Sequence, residues 1–238
     1  MRLLWAAARA AADLLWPRRC AACDQTLVDE EQGAGAFCAP CAAALEPLDP
    51  VRCCPRCALP QPRPGTCCAG SPLSRARAAY CYGGPLRQAL FRLKWQDRDD
   101  LAGPLGALLA GPLRAMAPRC DLLVPVPLHR QRLAERGYNQ AVLLARAARR
   151  AAGVALPLRC DLLRRNTPGP PSRGLGRAAR LQRAAAASFV ARGGVAGRRI
   201  LLLDDVLTTG ATARACAAAL RAAGAERVEV LTLCRTLA

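Results

Sequence analysis

The chain has 238 residues, room for one α/β domain of ordinary size and a small extra module. Its net charge is +18, with Lys94 the single lysine among 35 basic residues, a surplus that attracts diphosphates, nucleic acids and anionic membranes even if the Arg and Ala usage reflects a compositional bias of the source. No run of about 20 apolar residues occurs, which argues against a membrane span, and no Walker A pattern occurs, which argues against an ATPase.

The N-terminus, MRLLWAAARAAADLLWPRRC, has the outline of a signal peptide, but Arg9 and Asp13 interrupt its apolar stretch and no small-residue cleavage site precedes Pro17. The pattern predicts an amphipathic helix with Leu3, Leu4, Leu14, Leu15 and Trp16 inward. Nine of the 14 cysteines stand in the first third of the chain. Tight Cys-x-x-Cys pairs favour metal in a reducing cytoplasm over a secreted disulfide framework.

Cys20 and Cys23 form one knuckle and Cys38 and Cys41 another, with fourteen residues between them. That spacing is close to a zinc ribbon. Four thiolates leave a tetrahedral Zn²⁺ no open position, so the site is structural. Disulfide pairing is the alternative. Cys53, Cys54 and Cys57, followed by Cys67 and Cys68, make a second, degenerate cluster, because Gly70 stands where a cysteine partner to Cys67 belongs. Cys54, Cys57, Cys67 and Cys68 are its candidate ligands, and a lost site with reduced thiols is the alternative. The Pro- and Gly-rich residues around this cluster read as linker. They put a division at 1–74, a helix with a single or double zinc ribbon, and 75–238, an α/β domain.

From Ala76, ARAAYCYGG predicts a strand ending at Gly83-Gly84. One or two helices follow, with Leu86, Leu90, Leu93, Leu105, Leu108 and Leu109 inward and Lys94 near the end of the first. Lys94 reads as a solvated helix-face residue or as a point charge toward a ligand. Asp121–Pro127 is the next buried strand, followed by a basic loop with His129, Arg130, Arg132 and Arg136 and a helix through Ala152. Strand, basic loop and helix in that order make an anion site at the carboxyl end of a strand, with an ordinary solvated loop as the alternative. Leu156–Leu163 reads as a short strand. Arg164–Arg183 is basic, rich in Gly and Pro, and poor in large apolar residues, so it reads as mobile.

The stretch RILLLDDVLTTGAT, Arg199–Thr212, organises the rest. Ile200–Leu203 is a buried parallel strand. Asp204 and Asp205 follow at its carboxyl end, then a loop of Thr208, Thr209, Gly210, Ala211 and Thr212, then an Ala-rich helix with Gly224 past its end. Backbone N–H groups, hydroxyls and the helix dipole at this loop suit a phosphate. The carboxylates cannot grip that phosphate, so they face hydroxyls or a hydrated cation. A ribose 5-phosphate satisfies both requirements, whereas helix capping alone needs one such residue. A last strand covers Arg227–Thr236.

The stretch resembles the phosphoribosyl diphosphate (PRPP) motif of type I phosphoribosyltransferases. Together with the Cys knuckles, Lys94 and VPVPLHRQRLAERGYNQA, it is similar to ComF-type competence proteins over nearly the whole chain. The resemblance implies a parallel-sheet type I phosphoribosyltransferase fold preceded by a zinc-ribbon module. It implies PRPP and Mg²⁺ as ligands and a role in competence or DNA uptake. Asp204 and Asp205 would hold the ribose hydroxyls, Thr208–Thr212 the 5-phosphate, and Lys94, Arg130, Arg132 and Arg136 the diphosphate. Arg164–Arg183 would be the hood over the ligand. The family usually has Gln soon after the position of Thr167 and Asn after that of Arg183; here Pro170 or Pro171, and Ala184, stand there. Two functions follow: transfer to an unidentified nucleobase or amine, or non-catalytic binding of PRPP or single-stranded DNA beside other competence proteins.

Overall fold

The computed structural model describes residues 18–27, 35–60, 68, 71–166 and 189–237. The expected N-terminal helix, Cys67 and the segment from Thr167 to Arg183 lie outside these. Four strands, β1 (Arg75–Cys81), β2 (Leu122–Pro125), β5 (Arg199–Leu207) and β6 (Arg227–Arg235), form one all-parallel sheet in the order β1-β6-β5-β2. Two short strands, β3 (Leu163–Arg165) and β4 (Phe189–Ala191), pair antiparallel apart from it.

Alternation along the strands decides which residues enter which layer. Leu201, Leu203, Leu231 and Leu233 face one layer, while Ile200, Leu202, Val228 and Val230 face the other. The first layer holds α2 (Gly84–Trp95), α3 (Ala102–Ala107), α4 (Ala110–Met116) and α6 (Gln140–Ala152). The second holds α7 (Ala211–Ala222) and the β3–β4 pair. With both faces covered, the central strands read as continuous apolar runs. Each fully buried Leu or Ile contributes about 1.5–3 kcal/mol.

The alanine content has a packing role. Ala141, Ala145 and Ala148 are buried along α6, and Gly106 of α3 sits so close that a Cβ there would lie 2.5 Å from Ala147 Cβ. Small side chains let the two helices approach where leucines would hold them apart.

Both sheet edges are covered, which removes them as templates for pairing with another chain. Residues 46–48 lie antiparallel to β1 through the Pro47–Tyr80 bridge, and Ala76 N donates to Pro55 O at 2.7 Å. Beyond β2, Leu123 N donates to Pro157 O and Arg159 N to Leu123 O.

Three expectations are corrected. The strand holding Ile200–Leu203 continues to Leu207, because β6 keeps hydrogen-bonding partners beside it as far as Arg235, so the acids lie within β5. Residues 156–163 are not one strand: Leu158 makes a single parallel bridge beside β2, and pairing resumes at Leu163 with β4. The basic loop contains a helix, α5 (Arg130–Arg136). His129 caps it by accepting from Gln131 N through Nδ1, and Gly137, at φ +77°, closes it in a left-handed conformation.

Candidate functional site

The first Cys cluster is built from a tight turn and the short helix α1 (Ala39–Ala43). Cys20 N donates to Gln25 O and Asp24 N to Cys20 O, with Asp24 at φ +67°. This brings Cys20, Cys23, Cys38 and Cys41 within 4.8 Å of one another, with Cys23 and Cys38 sulfurs 3.7 Å apart. The thiols are free, and the separation is far above a disulfide bond of about 2.05 Å. It is close to the sulfur spacing about a tetrahedral zinc with ~2.3 Å bonds. Burial pushes the Cys20 thiol up, but backbone N–H groups, that of Cys23 first, bring it down to about 6. Burial and the neighbouring sulfurs push Cys41 up. A cation among the four removes that conflict.

The second cluster repeats the first turn. Cys54 N donates to Leu59 O, Ala58 N to Cys54 O, and Ala58 takes φ +56°. The bridges Arg19–Thr26 and Cys53–Pro60 match as well. Cys54, Cys57 and Cys68 converge, with Cys54 and Cys68 sulfurs 3.5 Å apart. Sequence spacing made this cluster look degenerate because the repeat lies in backbone geometry.

At the carboxyl end of β5, successive side chains take opposite sides of the sheet. Asp205 is buried toward α2, where Lys94 Nζ lies 2.6 Å from its Oδ2. Burial works against the Lys94 ammonium, yet Asp205 and then Asp204 hold its pKa above the ordinary lysine value. Lys94 is therefore ion-paired, and the solvated reading is set aside. Asp204 lies on the other side, where its charge acts on Cys216 of α7 and on Arg165. Burial, and then Asp205, push the Asp204 carboxyl up to about 8.

The loop after β5 turns through Gly210, which holds φ +75° as the N-cap of α7. Thr209 Oγ1 accepts from Ala211 N at 3.3 Å. Two arginines hold the loop by its carbonyls: Arg214 Nη1 donates to Thr209 O at 3.0 Å, and Arg235 Nη1 donates to Leu207 O at 2.8 Å and to Thr208 O. With carbonyls engaged below, the first-turn N–H groups of α7 are the groups such a loop offers an anion. Thr208, Thr209, Ala211 and Thr212 are half-buried and line it.

The basic residues divide. Arg132 and Arg136 of α5 stack on Trp95, at 5.7 and 5.0 Å from its ring centroid, one residue from Lys94. Arg136 also donates to Gln140 Oε1 at 2.6 Å and feels the charge of Asp205. Arg130 is exposed at the first position of α5, and no contact among the described residues brings it to the acids. Trp95, Arg165, Arg214 and Arg235 were not singled out for the site from sequence. Trp95 adjoins Lys94, Arg165 lies in the basic segment at 164–183 and Arg214 follows the TTGAT loop, whereas Arg235 carries no such sequence signal. Tyr138 and Asn139 of the RGYNQ stretch have fold roles here. Tyr138 donates to Leu93 O, and Asn139 caps α6 and donates to Val126 O at 3.0 Å.

A parallel sheet with this loop at the carboxyl end of a central strand, preceded by two cysteine clusters, defines a phosphoribosyltransferase-type domain with a double zinc ribbon. The phosphoribosyl transferase domain family matches residues 166–238 and the double zinc ribbon domain family residues 11–81. The DNA utilization protein YhgH of Salmonella typhimurium is 32% identical over 213 residues, covering 84% of this chain and 91% of that protein. Competence protein F of Haemophilus influenzae is 32% identical, covering 65% and 69%. The chain belongs to the ComF/YhgH family of competence and DNA utilization proteins. Among solved structures it is similar to a glutamine PRPP amidotransferase from B. subtilis, at 22% identity and TM-score 0.40, covering 60% of this chain and 30% of that one. No helix among the described residues is long and apolar enough to cross a membrane.

Proposed function

We propose that the chain binds PRPP with Mg²⁺ at the carboxyl end of β5 and acts in the cytoplasm in the handling of incoming DNA. The observation that carries the reading is the sequence of groups along one element. Asp204 and Asp205 lie in the carboxyl-terminal part of β5, and the Gly210 turn then delivers the first turn of α7 to the same end of the sheet. Thr208–Thr212 would hold the 5-phosphate and Asp204 the ribose hydroxyls. Lys94, held against Asp205, would supply positive charge toward the diphosphate together with Arg136 and Arg132. Mg²⁺ suits a diphosphate because it keeps most of its waters and needs few protein ligands.

Displacement of diphosphate from the anomeric carbon passes through an oxocarbenium-like state and needs no protein nucleophile. The residues here position two ligands and stabilise the departing charge. The name of the Salmonella relative refers to DNA utilization and that of the Haemophilus relative to competence, which supports the cellular role. Diphosphate release from PRPP and Mg²⁺ across a panel of nucleobases and amines tests transfer. Release with one acceptor establishes the enzyme, and absence with all of them, alongside PRPP binding, establishes the second reading.

That reading is a non-catalytic protein that binds PRPP or single-stranded DNA. Pro170 or Pro171, together with Ala184, favours it, because these stand where the family usually places amide side chains.

A further inference from the structure

We infer that Arg235 is a positioning residue that couples the metal state of the second cysteine cluster to the shape of the phosphate loop. The inference rests on the loop role proposed above, and its test separates the two.

Arg235 ends β6, the strand beside β5, and is 5% exposed. One edge of its guanidinium serves the loop. Nη1 donates to Leu207 O at 2.8 Å, to Thr208 O, and to Thr236 O at 3.0 Å. The other edge serves the cysteine module, where Nε donates to Cys57 O at 2.9 Å. Cys57 is the second sulfur of the knuckle that begins at Cys54. A planar guanidinium cannot move on one edge without moving on the other. The carbonyl of Cys57 is fixed by the same backbone turn that aims its sulfur, so a metal on Cys54, Cys57 and Cys68 sets the position of that carbonyl. Arg235 carries the position to Leu207 and Thr208, where β5 hands over to the TTGAT loop.

The donor set fits zinc: converging thiols, free of disulfide, on a turn that repeats the first knuckle. The first knuckle has a different tie. Asp24 accepts from Arg92 Nη1 of α2 at 2.8 Å, on the helix that presents Lys94. The two ribbons thus brace different parts of the site, and among the described residues the second reaches the phosphate loop through Arg235.

The test uses the full chain as wild type, Arg235→Met, Arg235→Lys, Cys54→Ser/Cys57→Ser, and the combination of the cysteine changes with Arg235→Met. Zinc content, hydrogen exchange of the amides of residues 207–212, and calorimetry with ribose 5-phosphate and with PRPP plus Mg²⁺ are measured on each. Arg235→Met should keep its zinc, raise loop exchange at least tenfold and weaken both ligands about tenfold. Cys54→Ser/Cys57→Ser should lose one zinc and raise loop exchange by the same factor, and adding Arg235→Met to it should change little. Arg235→Lys keeps the charge but not both edges, and should fall between. Unchanged loop exchange in either Arg235→Met or the cysteine variant overturns the coupling, as do fully additive effects of the two. If Arg235→Met does not fold, Arg235→Lys and the cysteine variant decide on the same criteria. Wild type that binds neither ligand overturns the phosphate role alone, since the exchange measurement needs no ligand.

Discussion

Lys94 Nζ sits 2.6 Å from Asp205 Oδ2, joining the last turn of α2 to the end of β5. The pair is mostly buried, so removing one partner leaves the other charged without a counterion. Such losses are of order 3–5 kcal/mol. Lys94→Met should therefore lower the thermal midpoint markedly, while Lys94→Met with Asp205→Leu should recover most of the loss. Calorimetric melting of the singles and the double measures it, and equal melting of all four proteins would show that the pair carries no net energy.

Asp204 sets a pH dependence with a definite sign. Its folded pKa of about 8 stands above the unfolded carboxylate value, so the native state binds the proton more tightly. Its contribution is complete below about pH 4 and is lost as pH rises toward 8. Asp204→Asn removes this titration and keeps the size. Across urea midpoints from pH 5 to 8.5, the variant should gain on wild type as pH rises. Parallel curves would place the ionised carboxylate comfortably in the fold.

PRPP binding separates the two parts of the motif. Asp204→Asn with Asp205→Asn should weaken PRPP strongly and leave a bare phosphate ester nearly unaffected. Gly210→Val should harm every phosphate ligand. Gly210 has φ +75°, and a Cβ there would meet Arg214 Nη1 at 3.0 Å, so the arginine that holds Thr209 O would be displaced. Hydrogen bonds to charged groups contribute roughly 1.5–3 kcal/mol, so each lost one should cost about tenfold to a hundredfold in affinity. Calorimetry with PRPP and ribose 5-phosphate reads both arms.

Elemental analysis should find two zinc ions per chain. Replacing Cys38 and Cys41 by Ser should release one and expose the ribbon to proteolysis, because metal binding and folding are coupled in such modules. Purified protein free of zinc, with these thiols oxidised in pairs, would remove the metal assignment.

Binding to single-stranded DNA should weaken steeply with salt and show little sequence preference. Neutralising Arg164, Arg173, Arg177 and Arg180 should reduce the slope of log affinity against log salt by up to about 3. An unchanged slope would move the DNA surface elsewhere, with the arginines stacked on Trp95 the next place to look.

By itself the sequence determined what depends on neighbours along the chain. Ile200–Leu203, the acids, TTGAT and the following helix stand in one continuous stretch, and their order states both the strand and its turn. The four cysteines of the first ribbon were legible for the same reason, since each knuckle is local, one a tight turn and the other the single turn of α1. Tertiary structure decided which charges meet. Lys94 reads as an ordinary helix-face lysine until the packing of α2 on the sheet brings it to Asp205. Asp204 and Asp205 read as one pair until the pleat of β5 sends them to opposite layers. Arg235 reads as one more arginine at the end of a strand, yet it joins Cys57 to Thr208 across most of the chain length. Hydrogen bonds and ion pairs of this kind form between groups far apart in sequence, and no local pattern encodes them. Only the path of the parallel sheet sets their distance.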